Sequence, residues 1–148
     1  MKKWKKIVTQ SNIEELFQTY NGFHDSYITS LNFKGGVAVD GQAQTVHYRG
    51  AASRQLRVTF KSIWAPTTVE LCFTGLRRLH LVGWQSNYDC DILDAHLSFQ
   101  YHLLPGEYER VIVWADDSSF DISKLSNKIE EPDYTYIVAN ELKWRIKE

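Results

Sequence analysis

Cysteine, proline, glycine and methionine are all scarce in this 148-residue chain, at 2, 3, 8 and 1. Two cysteines, Cys72 and Cys90, make neither a disulfide framework nor a four-ligand zinc site of the usual structural kind, and both read as free thiols of a reducing compartment. So few prolines and glycines exclude a fibrous chain or a linker. Charge of one sign is also missing: 17 Lys and Arg against 18 Asp and Glu leave a net charge of −1, without the basic excess of a domain built around a phosphate backbone. No apolar stretch approaches the length of a membrane span. The basic run Lys2, Lys3, Lys5 and Lys6 around Trp4 is followed by Ile7 and Val8 and then by Thr9, Gln10, Ser11 and Asn12, so it opens no secretion signal and reads as a solvated terminus. G-x-S-x-G, H-E-x-x-H and phosphate-cradling glycine loops are all missing, and Gly35-Gly36 reads as a hairpin turn.

What is present suits one domain spanning residues 1–148. Hydrophobic residues make up 43% of the chain, enough for a core that needs no metal, cofactor or disulfide, since a domain of this size buries about 70% of its unfolded surface. Ser11 and Glu14 have the spacing of a capping box, and Ile13, Leu16, Phe17 and Tyr20 share a helical face. A helix is therefore expected from Asn12 to Tyr20, stopped by Asn21-Gly22. The period then changes to two. Alternating stripes run through Tyr27–Phe33, Val46–Tyr48, Leu56–Phe60, Val69–Phe73, Leu79–Leu81 and Leu93–Tyr101, and Val111–Trp114 is almost continuously apolar. Tyr134, Tyr136, Val138, Leu142, Trp144 and Ile146 share one parity, which predicts one long strand bent near Ala139-Asn140 with Trp144 buried. The polar stretch Ser118–Asp133 reads as a connection with a helical turn near Ser123–Lys128. Half-buried strands of this kind pair antiparallel. The fold class is therefore α+β: one N-terminal helix packed on a large antiparallel β-sheet or β-sandwich.

Three constellations could carry chemistry. His24-Asp25, just past the helix stop, could orient an imidazole as a base or begin a metal site, or could cap the turn into the first strand. Adjacent strand residues point to opposite faces, so the two need not share a site. Pairing of the segments Leu76–Val82 and Asp91–Tyr101 would bring Arg78, His80, Asp94 and His96 onto one sheet face, where they form either an anion or metal site or an ordinary cross-strand ion pair. Asp116 and Asp117, leaving a strand, could serve as general acid and base, hold a divalent cation, or simply start a turn. The aromatics, 7 Phe, 5 Trp and 8 Tyr, lie mostly on the apolar parity of their strands, which favours core packing over base stacking.

Phe23-His-Asp-Ser-Tyr-Ile-Thr-Ser-Leu-Asn-Phe33 and Tyr134-Thr-Tyr-Ile-Val-Ala-Asn-Glu-Leu-Lys-Trp-Arg-Ile146 resemble segments of small bacterial families, some of them grouped with immunity proteins of polymorphic toxin systems. The resemblance implies a cytoplasmic, non-catalytic, strand-rich α+β protein and assigns no site residue. Three functions follow as expectations. The first is an interaction protein whose partner is a protein, such as a toxin whose active site it occludes, and neither nucleic acid nor membrane. The second is a small hydrolase or metal-dependent enzyme using His24, His80, Asp94 or His96. The third is a small-ligand carrier with a pocket in its aromatic-rich sheet.

Overall fold

The computed structural model describes residues 3–103, 108–126 and 134–147. Strand accounts for 51% and helix for 14% of the chain, so the sheet sets the architecture, and the α+β expectation is met. The elements run β1 (Lys5–Ile7), α1 (Gln10–Thr19), β2 (Ser26–Gly35), β3 (Val37–Asp40), β4 (Thr45–Tyr48), β5 (Arg54–Ser62), β6 (Thr68–His80), β7 (His96–Gln100), β8 (Val111–Ala115) and β9 (Tyr136–Ile146). The main sheet is antiparallel in the order β2-β5-β6-β9-β8-β7. The long strand β9 pairs with β6 along one edge. Its other edge is shared, with β8 against Ile137–Ala139 and Tyr136, and β1 against Leu142–Trp144.

The two ends of this strand order approach each other. Ser26, at the start of β2, bridges Ile92, a few residues ahead of β7: the Ile92 amide donates to the Ser26 carbonyl at 3.0 Å and the Asp25 amide to the Ile92 carbonyl at 2.8 Å. The curled sheet encloses a core of Leu56, Val58, Phe60, Val69, Leu71, Phe73, Ile112, Trp114, Leu142 and Trp144, closed by Ile13, Leu16 and Tyr20 of the helical segment. At its centre Phe23 meets the rings of Tyr20, Phe60 and Trp114 at 5.1, 4.9 and 5.8 Å, all edge-on, the arrangement the ring quadrupoles prefer. A second cluster lies on the other side of β8 and β9, where Phe120 and Leu125 cover Val111, Val113, Ala115, Tyr136 and Val138. Two covered faces explain why β8 is apolar at every position.

Several local expectations are corrected. The helix begins earlier, and its capping box is formed by Thr9 and Asn12 instead of Ser11 and Glu14: Thr9 Oγ1 accepts from the Asn12 amide, and Asn12 Oδ1 accepts from the Thr9 amide. The N-terminal run does not fray at residues 5–7. β1 fills the half-edge of β9 that β8 leaves open, and Lys5 pairs with Glu15 at 2.7 Å. Trp4 then lies across the outer face of the sheet, its ring 4.2 Å from Arg145, 5.0 Å from Lys143 and 5.6 Å from Arg57. Arg57, Cys72 and Lys143 are neighbours in register, so Trp4 roofs the Cys72 position. Cys72 and Glu70, outward-facing by parity, are buried there, and Glu70 is paired with Arg145 at 2.8 Å and Lys147 at 3.3 Å.

Gly35-Gly36 does not close a hairpin. Gly36 turns the chain from β2 into β3, and β3 and β4 form a separate two-stranded arm. The stripe at Val69–Phe73 and the start of that at Leu79–Leu81 belong to one strand, since β6 continues through Gly75 to His80 and leaves Leu81 beyond its end. C-terminal parity slips there as well. Gly75 has φ +68°, and a Cβ on it would stand 2.5 Å from Asn140 Oδ1 in the neighbouring strand. Both strands change face at this step, so Ile137 and Ala139, not Tyr136 and Val138, join Leu142 and Trp144 in the main core. β9 is nevertheless one strand, as expected. Of the polar connection, Ile122–Ser126 form a short helical turn; the expected turn beyond Ser126 and the acidic stretch to Asp133 lie outside the described residues.

Candidate functional site

After α1 the chain enters a left-handed turn: φ is +52° at Asn21, +60° at Gly22, +66° at Phe23 and +57° at Asp25. Only Gly takes this region without cost, so Phe23 is held there by burial. The turn displays His24 and Asp25 together. The expectation that they diverge fails because Asp25 lies outside β2 and has left-handed backbone; His24 Nε2 and Asp25 Oδ2 are 3.4 Å apart. Each also anchors another loop. His24 Nδ1 donates to the Leu93 carbonyl at 2.6 Å, and Asp25 Oδ2 accepts from Trp64 Nε1 at 2.9 Å. The Trp64 amide donates to Ser62 Oγ at 3.1 Å, and the Ser62 amide to the Thr67 carbonyl at 2.8 Å, fixing the loop between β5 and β6.

These anchored loops, with Tyr27 at the start of β2 beside them, hold apolar side chains in water. Ile63 is 76% exposed, Trp64 54%, Leu93 64% and Tyr27 41%. Sequence reasoning missed this surface. It placed Tyr27 and Leu93 on buried stripes, whereas β7 starts only at His96 and the residues before it are irregular. Ile63 and Trp64 lay outside every stripe, and an aromatic pair in a loop was the signal available.

The second constellation is not assembled as the sequence suggested. β6 pairs with β9, and β7 with β8, so two strands separate Arg78 and His80 from His96. Arg78 Nη1 donates to the Leu125 carbonyl at 2.7 Å, and His80 Nδ1 donates to the Tyr134 carbonyl at 2.7 Å while its ring stacks on Tyr136. His96 bonds Ser98 Oγ at 2.7 Å beside Phe120. Asp94 lies elsewhere, near Gly22. Asp117 starts a turn, its Oδ1 accepting from the Ser119 amide and hydroxyl at 2.8 and 2.7 Å. Asp116 accepts from the Tyr88 hydroxyl at 2.7 Å, and burial raises its carboxyl above the usual range. Among the described residues no three His, Cys, Asp or Glu side chains form a group able to hold a metal ion.

Two hollows flank this end of the sheet. One, of about 220 Å³, is lined by Ile28, Leu31, Leu81, Val82 and Ile92, with Tyr88, Cys90 and Asp116 at its polar end. It is smaller than the roughly 300–1,000 Å³ of typical ligand pockets. Burial pushes the Cys90 thiol up, away from the thiolate that a nucleophile needs. The other, of about 470 Å³, lies between Leu93 and Tyr134 and is walled by Asp91, Asp94, Asp116 and Asp117. Burial, then Asp25 and Asp89, raise Asp91, while His24 pulls it down.

Histidine titration checks this geometry. The Leu93 hydrogen bond raises His24 above its ordinary 6.5 against an opposing effect of desolvation, with Asp25, Asp94 and Asp91 adding to the rise. Burial lowers His96. His24 therefore contributes stability that is present below pH 6.5 and lost as pH rises through its folded value. His96 contributes stability present above 6.5 and lost as pH falls through its own. Imidazole proton NMR is expected to place the two on opposite sides of 6.5; the reverse order would contradict the assigned contacts. Asp25→Ala is expected to cost about 0.5–2 kcal/mol, the range for a lost hydrogen bond. Thermal unfolding checks it, with Asp25→Asn, which keeps an acceptor, recovering most of the loss.

No family model, curated protein or solved structure matches the chain. Among the described residues no helix is long and apolar enough to cross a membrane.

Proposed function

We propose that the chain acts by binding a protein partner, and that this partner is a toxin whose active site it occludes. The observation that carries the reading is the set of exposed side chains Ile63, Trp64, Leu93 and Tyr27, among which Asp25 bonds the Trp64 indole and His24 the Leu93 carbonyl. Large aromatic side chains dominate the energetics of protein interfaces. A Trp whose indole N–H and backbone are already bonded loses little freedom on docking, and such preorganisation lowers the cost of association. The toxin reading adds the resemblance of Phe23–Phe33, the segment that supplies both anchoring side chains. On the same reading the protein works in the cytoplasm, where the thiols of Cys72 and Cys90 stay free.

The test is co-expression with the product of the adjacent gene. A stable complex on size exclusion, with rescue of growth where that product alone is toxic, is the expected result. Trp64→Ala with Leu93→Ala should abolish both while the melting temperature falls no further than it does in Asp25→Ala, which loses the same Trp64–Asp25 hydrogen bond. Rescue that persists in this double variant would remove the surface from the account.

A further inference from the structure

The same end of the sheet carries a charge pattern that says what kind of partner fits it. Leu93, in the exposed apolar group, is also a wall of the 470 Å³ groove, so the two features are one continuous surface. The groove's described lining holds four carboxylates, Asp91, Asp94, Asp116 and Asp117, and no Lys or Arg. Asp25, under Trp64, and Asp89 extend the acidic side, and both act electrostatically on Asp91. Three cations gather elsewhere, Lys143, Arg145 and Arg57 around Trp4 on the outer face of β5, β6 and β9, whereas Lys61, the register partner of Tyr27, stands beside the apolar group and outside the groove lining. The groove's acidic lining thus adjoins exposed Leu93, while other exposed apolar side chains, Phe33, Val39 and Tyr48 among them, lie on β2 and the β3–β4 arm away from it.

Resting on the reading of Trp64 and Leu93 as a binding surface, we infer that the partner docks through a basic, apolar-flanked segment. A Lys or Arg side chain enters the groove between Asp91, Asp94 and Asp117, and its neighbouring aliphatic or aromatic residues pack on Trp64, Ile63 and Leu93. The groove has room for a guanidinium, and carboxylates receive that group through paired hydrogen bonds. The Tyr88 and Tyr134 rings offer a wall for its stem. The same field repels a nucleic acid. It also steers a basic protein surface during encounter.

The probes are three nine-residue peptides, alternating Arg and Leu, Glu and Leu, or Arg and Gly, titrated at moderate salt and followed by fluorescence anisotropy. The Arg/Leu peptide is expected to bind at least tenfold tighter than either of the others. Its affinity should fall at least tenfold in Trp64→Ala, and again in the triple variant Asp91→Asn, Asp94→Asn, Asp117→Asn, whose new side chains keep an acceptor at each position. Equal binding of the Glu/Leu peptide overturns the basic partner. Equal binding of Arg/Gly, indifferent to Trp64→Ala, overturns it as unspecific attraction, and so does failure of the Arg/Leu peptide to bind. The two readings separate in the complex of the previous test. Loss on Trp64→Ala together with indifference to the triple variant refutes the basic partner and keeps the surface, whereas indifference to Trp64→Ala refutes the surface itself.

Discussion

Replacing Trp144 by alanine is expected to lower the free energy of unfolding by about 3–5 kcal/mol, the range for deleting a large core aromatic. Trp144 is 2% exposed, and it stands in β9 between Leu71 of β6 and Lys5 of β1, so it seals the core at the place where the N-terminal strand joins. The Lys5 ammonium lies 5.4 Å above its ring and is lost as a partner too. No neighbouring side chain can refill so large a space without moving the β1 edge. For a domain of this size each kcal/mol shifts the melting temperature by roughly 2–4 °C, so a fall on the order of 10 °C is expected. Urea unfolding checks the figure. A loss below about 1 kcal/mol would mean that the ring is not packed as described.

Phe23→Ala is expected to cost as much, about 3–5 kcal/mol, and to reach the binding surface as well. Phe23 is fully buried among Phe17, Tyr20, Phe60 and Trp114, and its packing offsets the left-handed backbone it adopts. Alanine at φ +66° keeps the backbone cost, on the order of 1–2 kcal/mol, and loses the packing that opposes it. The turn then relaxes, and His24 and Asp25 release Leu93 and Trp64. Unfolding gives the first effect, and the indole N–H resonance of Trp64 gives the second. A variant that loses stability while that resonance stays in place would separate the turn from the surface.

Much of the architecture was legible because period-two alternation survives wherever a strand buries one face. β2, β5, the first half of β6, β8 and β9 were all visible in this way. Legibility failed where alternation is locally broken. Both central strands change face at Gly75 and Asn140, so parity counted across them assigns Tyr136 and Val138 to the wrong cluster. β1 was invisible because three residues at a basic terminus carry no period, and only the vacant half-edge of β9 explains them. The pairing of β6 with β9 instead of the segment before β7 is a long-range choice that stripes cannot encode. It is also what scatters Arg78, His80 and His96. The site was partly legible: His24 and Asp25 stood out, with a capping role as one of their readings. What they anchor was not, because Trp64 and Leu93 come near them only through the left-handed turn and the Ser26–Ile92 bridge.

The most direct test of the account measures partner affinity and melting temperature side by side for the parent, Trp64→Ala and Trp144→Ala, using the complex with the adjacent gene product. The account predicts that Trp64→Ala loses at least tenfold in affinity with no more stability lost than in Asp25→Ala, while Trp144→Ala loses more stability and binds in proportion to the fraction that remains folded. A Trp64→Ala protein that binds as tightly as the parent would contradict it.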